Sequence, residues 1–159
     1  MTRTILYATD FSAASRPALA MAVELARQAR ARLLVLHVMT PASPFVAREE
    51  RPASWLELQA WARRDARRHL AATVATAGRA RIRVEGTLVE GVPAESILRL
   101  ARRQGADLIV IGTHGRSGVG RFLMGSVAAR VVQFAHCSVL TVRGRRRGGS
   151  SRPPKRDAA

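Results

Sequence analysis

Leu108-Ile109-Val110-Ile111 runs into Gly112-Thr113-His114-Gly115, and after nine more residues Gly125-Ser126 opens a new segment. The apolar run carries no polar alternation, as expected of a strand buried on both faces. The glycines mark a turn. Beyond them Ala128, Val131, Val132 and Ala135 recur at helical spacing, which predicts a helix over 126–135. Strand, glycine-rich turn and helix in that order bring backbone N–H groups and a helix N-terminus to the carboxyl end of a strand. Open α/β sheets bind anionic ligands there. The pattern is G-x2-G-x9-G-[ST]. It is not a Walker A loop, because the lysine is missing, and not GxGxxG, because Leu123 stands where a third glycine would follow Gly118 and Gly120.

The same change of period repeats on the N-terminal side. Thr4–Thr9 reads as an apolar strand. Ala13–Arg30 reads as a helix with Leu19, Ala22, Val23 and Ala26 on one face, and Pro17 is tolerated near its first turn. Arg32–Met39 is a second apolar strand. Trp55–Ala77 is a helix with Ala62, Ala66, Leu70 and Val74 inward, and Arg81–Glu90 is a strand. Pro93–Arg103 is a helix with Ala94, Ile97, Leu98 and Ala101 inward. Ser138–Arg143 is the last strand. Five strands alternating with four helices predict an α/β fold, an open doubly wound parallel sheet. Ligand residues are then sought after strands 1, 2 and 4.

The chain has 159 residues, which suits one domain. Hydrophobic residues make up 47% and aromatics 4%, so the core is aliphatic. No apolar run approaches the roughly 20 residues that span a bilayer. The single cysteine, Cys137, excludes an internal disulfide framework and reads as a small buried hydrophobe in a cytoplasmic protein. The formal net charge is +16, carried by 26 arginines and one lysine. Such a balance favours anionic partners without naming one. Thr40–Ala53, with three prolines, reads as a loop or lid. The stretch from Arg143 to the end, rich in Arg, Gly, Ser and Pro, reads as a disordered basic tail.

The chain resembles the universal stress protein family, in its single-domain, ATP-binding branch. Four stretches carry the resemblance: Ile5-Leu6-Tyr7-Ala8-Thr9-Asp10-Phe11-Ser12, Leu36-His37-Val38, the glycine motif from Gly112 to Ala128, and Cys137-Ser138-Val139-Leu140-Thr141-Val142. It covers residues 1–143, leaving 144–159 as the tail. The resemblance implies a five-stranded sheet of order 3-2-1-4-5, of the adenine nucleotide alpha hydrolase type, and a homodimer joined through residues 138–143. It implies ATP as ligand, with Mg²⁺. Gly112, His114 and Gly115 would line the phosphates or ribose, and Thr113 and Arg116 would also belong to the nucleotide site. Gly125, Ser126 and Val127 would present N–H and hydroxyl groups to the phosphates. Asp10 would meet the ribose or a metal near it and Val38 the adenine, with Thr9 also among the nucleotide-binding residues. Ser138 stands where the family usually has proline.

Other readings compete at several positions. Asp10 could cap the helix after it, and Ser126 could cap its own. His37, His69 and His136 show no metal-ligand spacing and read as packed or exposed side chains. Arg116 and Arg121 suit phosphate but also suit a solvated loop. Arg63, Arg64, Arg67 and Arg68 read as a solvated helix face. No residue of the motif is an evident general base, so hydrolysis, if any, would be slow. A stress-regulatory ATP-binding dimer is the leading function. A dimeric module whose Arg-rich tail binds nucleic acid or another polyanion is the alternative, and a slow ATPase the lesser one.

Overall fold

The computed structural model describes residues 3–40, 53–113 and 124–144. Among them five strands form one sheet: β1 (Thr4–Thr9), β2 (Arg32–Met39), β3 (Val84–Glu90), β4 (Leu108–Gly112) and β5 (Ser138–Val142). The order is 3-2-1-4-5 and every neighbouring pair is parallel. Four helices join them: α1 (Arg16–Ala29), α2 (Ala53–Gly78), α3 (Pro93–Arg103) and α4 (Ser126–Phe134). The expected doubly wound sheet is the one found.

Alternate residues of β1 show why its sequence is apolar throughout. Ile5 and Tyr7 point to one face, where they meet Ala18, Ala22 and Ala26 of α1 and Leu70 and Ala77 of α2. Leu6 and Ala8 point to the other, against Ala94, Ile97 and Ala101 of α3 and Ala128 and Val131 of α4. All six residues of β1 are buried. Leu6 has no exposed surface, a burial that contributes about 1.5–3 kcal/mol. Tyr7 keeps its hydroxyl satisfied by donating to the Ser15 carbonyl at 2.9 Å, and burial raises its phenol pKa above the ordinary value. The outer strands β3 and β5 are covered less and are mostly half-buried.

Several boundaries and faces differ from the sequence reading. Residues 13–15 form a separate 3-10 turn, and α1 begins at Arg16 with Pro17 in its first turn. The buried stripe of α1 is Ala18, Ala22 and Ala26, with Leu19 and Val23 packed at its flanks. A stripe of alanines lets the helix lie close to the sheet. β3 starts at Val84, not Arg81, because Arg81 sits in the left-handed region at φ 55° and belongs to the turn. Val132 is 46% exposed rather than inward. One residue advances a helix by about 100°, which carries Val132 past the narrow stripe of Ala128 and Val131. Cys137 is half-buried, and burial raises its thiol pKa. Most of the expected loop from Thr40 to Ala53, and the tail beyond Gly144, lie outside the described residues. No described helix is long and apolar enough to cross a membrane.

Candidate functional site

The strand order reverses between β1 and β4, because the chain winds from β1 outward to β3 and then returns to β1's other side. At the carboxyl ends of these strands lies a cleft of about 640 Å³. Thr9 and Asp10 enter it from β1, Val38 from β2, and Gly112 and Thr113 from β4. Gly125, Ser126 and Val127 enter it from the start of α4. Eight of the eleven expected site residues therefore converge on one cavity. His114, Gly115 and Arg116, with Arg121, lie outside the described residues.

The β1 end is shaped by side chains bonding to nearby main chain. Thr9 Oγ1 accepts from the Phe11 N–H at 3.0 Å, and Asp10 Oδ1 accepts from the Ser12 N–H at 3.0 Å. Asp10 thus closes an Asx turn and does not cap a helix. These bonds hold Phe11 at φ 62°, a left-handed conformation that costs a non-glycine residue about 1–3 kcal/mol. Asp10 Oδ2 is buried and has no hydrogen-bond partner among the described residues. Such an atom calls for a donor, since an unpaired buried carboxylate oxygen is costly.

The α4 end supplies the opposite polarity. Gly125 occupies the N-cap position, with no side-chain cap; Ser126 is the first helical residue and not the cap. Gly125 N–H donates to the Thr113 carbonyl at 2.7 Å, and Thr113 N–H donates to the Val142 carbonyl at 3.0 Å. These bonds fix the two ends of the glycine segment beside each other and beside β5. The first amides of a helix have no intrahelical acceptor and carry the positive end of the helix dipole.

The wall opposite comes from α2, which sequence reasoning did not place at the site. Trp61, Ala62, Asp65, Ala66 and His69 all line the cleft. His37 and His69, expected to be merely packed or exposed, flank the Phe11 ring. The centroid of Phe11 lies 4.2 Å from His37 and 5.5 Å from His69, both stacked. His37 Nδ1 lies 2.7 Å from the Thr9 carbonyl, so that nitrogen carries the proton. One signal for α2 was present in the sequence. Asp65 and His69 sit four apart beside the inward Ala62, Ala66 and Leu70, hence on the rim of the buried face. The cleft therefore offers a donor-rich end at α4, a carboxylate that accepts, and apolar and aromatic walls from Val38, Met39, Ile97 and Phe11.

A parallel sheet with a cleft at its switch point and a helix N-terminus presented to that cleft defines an α/β fold of the nucleotide-binding class. More narrowly, the chain belongs to the universal stress protein family, whose family model matches residues 1–143. It is 34% identical over 141 residues to a universal stress protein of Methanocaldococcus jannaschii, covering 89% of this chain and 82% of that one. It is 38% identical over 143 residues to a universal stress protein of Thermus aquaticus, covering 90% and 100%. A universal stress protein solved in complex with cAMP superposes with a TM-score of 0.67 at 27% identity, covering 91% of this chain and 99% of that one.

Proposed function

We propose that this protein binds ATP with Mg²⁺ in the cleft and works as a cytoplasmic regulatory dimer. Its nucleotide state alters what it binds. One observation carries the reading: an Asp10 carboxylate oxygen, buried and without a partner among the described residues, shares a cavity with the N-terminus of α4. An adenine nucleotide matches that pair of opposite demands. Its phosphates take the N–H groups at Ser126 and Val127, while that of Gly125 is held by the Thr113 carbonyl. A ribose hydroxyl or the hydration shell of the metal satisfies Asp10. The flat base takes the apolar walls around Val38. Bound cAMP in a related protein of the family supports the choice of adenine. Mg²⁺ would arrive with the nucleotide and neutralise phosphate charge.

The dimer reading rests on β5, an edge strand bearing half-buried Val139, Leu140 and Val142. An apolar edge of this kind favours pairing with a second copy. Residues 1–143 form the working domain in this reading, with 144–159 as an appended basic tail.

Calorimetric titration of the full chain with ATP and Mg²⁺ at moderate salt tests the proposal. Saturation near one ATP per chain is expected. Gly125→Trp, which crowds the start of α4, should abolish it while the circular dichroism spectrum stays unchanged. Undiminished affinity in that folded variant would overturn the assignment.

A further inference from the structure

The amino end of the sheet gathers arginines from three separate connections and from the residue before β1. Arg32 N–H donates to the Arg3 carbonyl at 2.9 Å, and Leu33 N–H donates to the Arg83 carbonyl at 2.8 Å. Arg3, Arg32 and Arg83 therefore stand side by side at the starts of β1, β2 and β3, about 4.8 Å apart per strand. α1 ends at the same level with Arg27 and Arg30. The turn after α2 adds Arg79 and Arg81, and the last turn of α3 adds Arg102 and Arg103.

Among the described residues three acids lie at this end, and each is already engaged. Glu24 accepts from Arg27 and Gln28. Glu85 pairs with Arg83 at 3.1 Å and with Arg32 at 3.6 Å. Asp107 Oδ2 accepts the backbone N–H groups of Arg3 at 2.8 Å and Thr4 at 3.0 Å. Nine arginines against three acids leave a surplus of six positive charges here. The other described residues hold eight arginines against five acids, a surplus of three spread over the remaining surface. Arg30, Arg79, Arg81, Arg102 and Arg103 are exposed and have no ion pair among the described residues.

Helix ends explain only part of this. A cation at a helix C-terminus gains about 0.3–1 kcal/mol from the dipole. That gain does not reach the strand starts at Arg3, Arg32 and Arg83. It is also offset at Arg30 and Arg81, which sit at φ 51° and 55°, where glycine is the favoured residue and a side chain costs on the order of 1 kcal/mol.

We propose that this face binds the phosphate backbone of nucleic acid, without reading its sequence. Guanidinium groups match phosphate in a bidentate fork. A protein partner or a lipid bilayer would want apolar anchors as well. Among the described residues most exposed large apolar side chains lie elsewhere: Met21 midway along α1, Leu56, Leu58 and Trp61 toward the start of α2, Val92 before α3, and Met124 before α4. Val132 and Phe134, in the last turn of α4, are at this end but on its β5 side. The face lies at the opposite end of the sheet from the nucleotide cleft and is independent of it. Its residues are distinct from those of the tail and from Arg63–Arg68 of α2.

The test is fluorescence anisotropy of a labelled 20-bp duplex of arbitrary sequence with the full chain, between 50 and 300 mM KCl. The variant Arg30→Gln/Arg79→Gln/Arg102→Gln/Arg103→Gln should weaken binding at least 30-fold at 100 mM. Each lost phosphate contact removes about 0.9 from the slope of log K against log salt, so the slope should fall by roughly 3 to 4. Arg64→Gln/Arg67→Gln on α2 and Arg145→Gln/Arg146→Gln/Arg147→Gln in the tail should each change affinity less than threefold. Glu24→Gln, which frees Arg27, should tighten binding two- to threefold and does not depend on the quadruple variant folding. The proposal fails if the quadruple variant, with an unchanged thermal melt, binds like the parent, or if the tail variant carries the loss. It also fails if Glu24→Gln leaves affinity unchanged, or if the chain binds anionic vesicles but not the duplex. The ATP titration of the quadruple variant reads the cleft separately.

Discussion

The two ends of one sheet carry positive character by different means. At the carboxyl end it comes from the main chain: the first amides of α4, set beside Thr113 by a 2.7 Å hydrogen bond. At the amino end it comes from side chains, because every helix there presents its negative pole and only arginines reverse the sign. Amides inside a cleft suit a small anion held closely. Side chains fanned over an open face suit an extended one. Parallel winding makes this division unavoidable, since it sends all the helix starts to one end and all the helix finishes to the other.

The comparison can be broken at its middle. Ile109→Ala, at a residue with no exposed surface, should cost about 2–5 kcal/mol and lower the urea midpoint. Nucleotide and duplex binding should then fail together at one urea concentration. Separate failures would show that the ends are supported independently. A more local change should split them. Asp10→Ala removes the carboxylate whose Oδ2 has no partner among the described residues, and calorimetry should show ATP affinity falling 10- to 100-fold, while duplex anisotropy stays within twofold. The reverse split is expected from Arg30→Gly. It relieves the left-handed backbone and should raise stability by roughly 0.5–1 kcal/mol, yet weaken the duplex about threefold. A stability gain with no loss of duplex binding would mean that Arg30 serves neither.

The smallest effect concerns acid. The backbone N–H groups of Arg3 and Thr4 hold the Asp107 carboxyl below its ordinary value. A carboxylate lowered on folding contributes stability that is present above its unfolded pKa, near 3.9, and is lost as pH falls through the folded value. Asp107→Asn should therefore lower the melting temperature at pH 7 by a degree or two, with the difference shrinking below pH 4. A constant difference across that range would argue against the linkage.

What was legible in the sequence was whatever rested on local period. The unbroken apolar runs around Leu6, Val35 and Ile109 announced strands covered on both faces. The glycine motif with Gly125-Ser126 announced where a helix N-terminus would meet a strand end. The features that escaped depend on residues far apart in the chain. Asp65 and His69 reach the cleft only because α2 packs against β2 and β3. The ring stack around Phe11 depends on its left-handed backbone, which no propensity of phenylalanine suggests. The amino-end arginines come from three connections, each with two or three charges that look ordinary alone, and from Arg3 before β1. Val132 was misjudged because α4 buries a stripe narrower than its apolar spacing implies.

The position of β1 also governs how the chain must be made. β1 is the centre of the sheet, paired on one side with β2 from residue 32 onward and on the other with β4 from residue 108. A chain leaving the ribosome can pair β1, β2 and β3 in order of synthesis. The second edge of β1, with Ile5 to Ala8 apolar on both faces, must wait for β4. At roughly 5–20 residues per second that wait is on the order of 5–20 s. For that interval the most buried strand of the finished protein is an open, sticky edge. Nascent-chain crosslinking from Leu6 should capture chaperone on chains stalled before residue 100, and lose it once residues 108–112 have emerged.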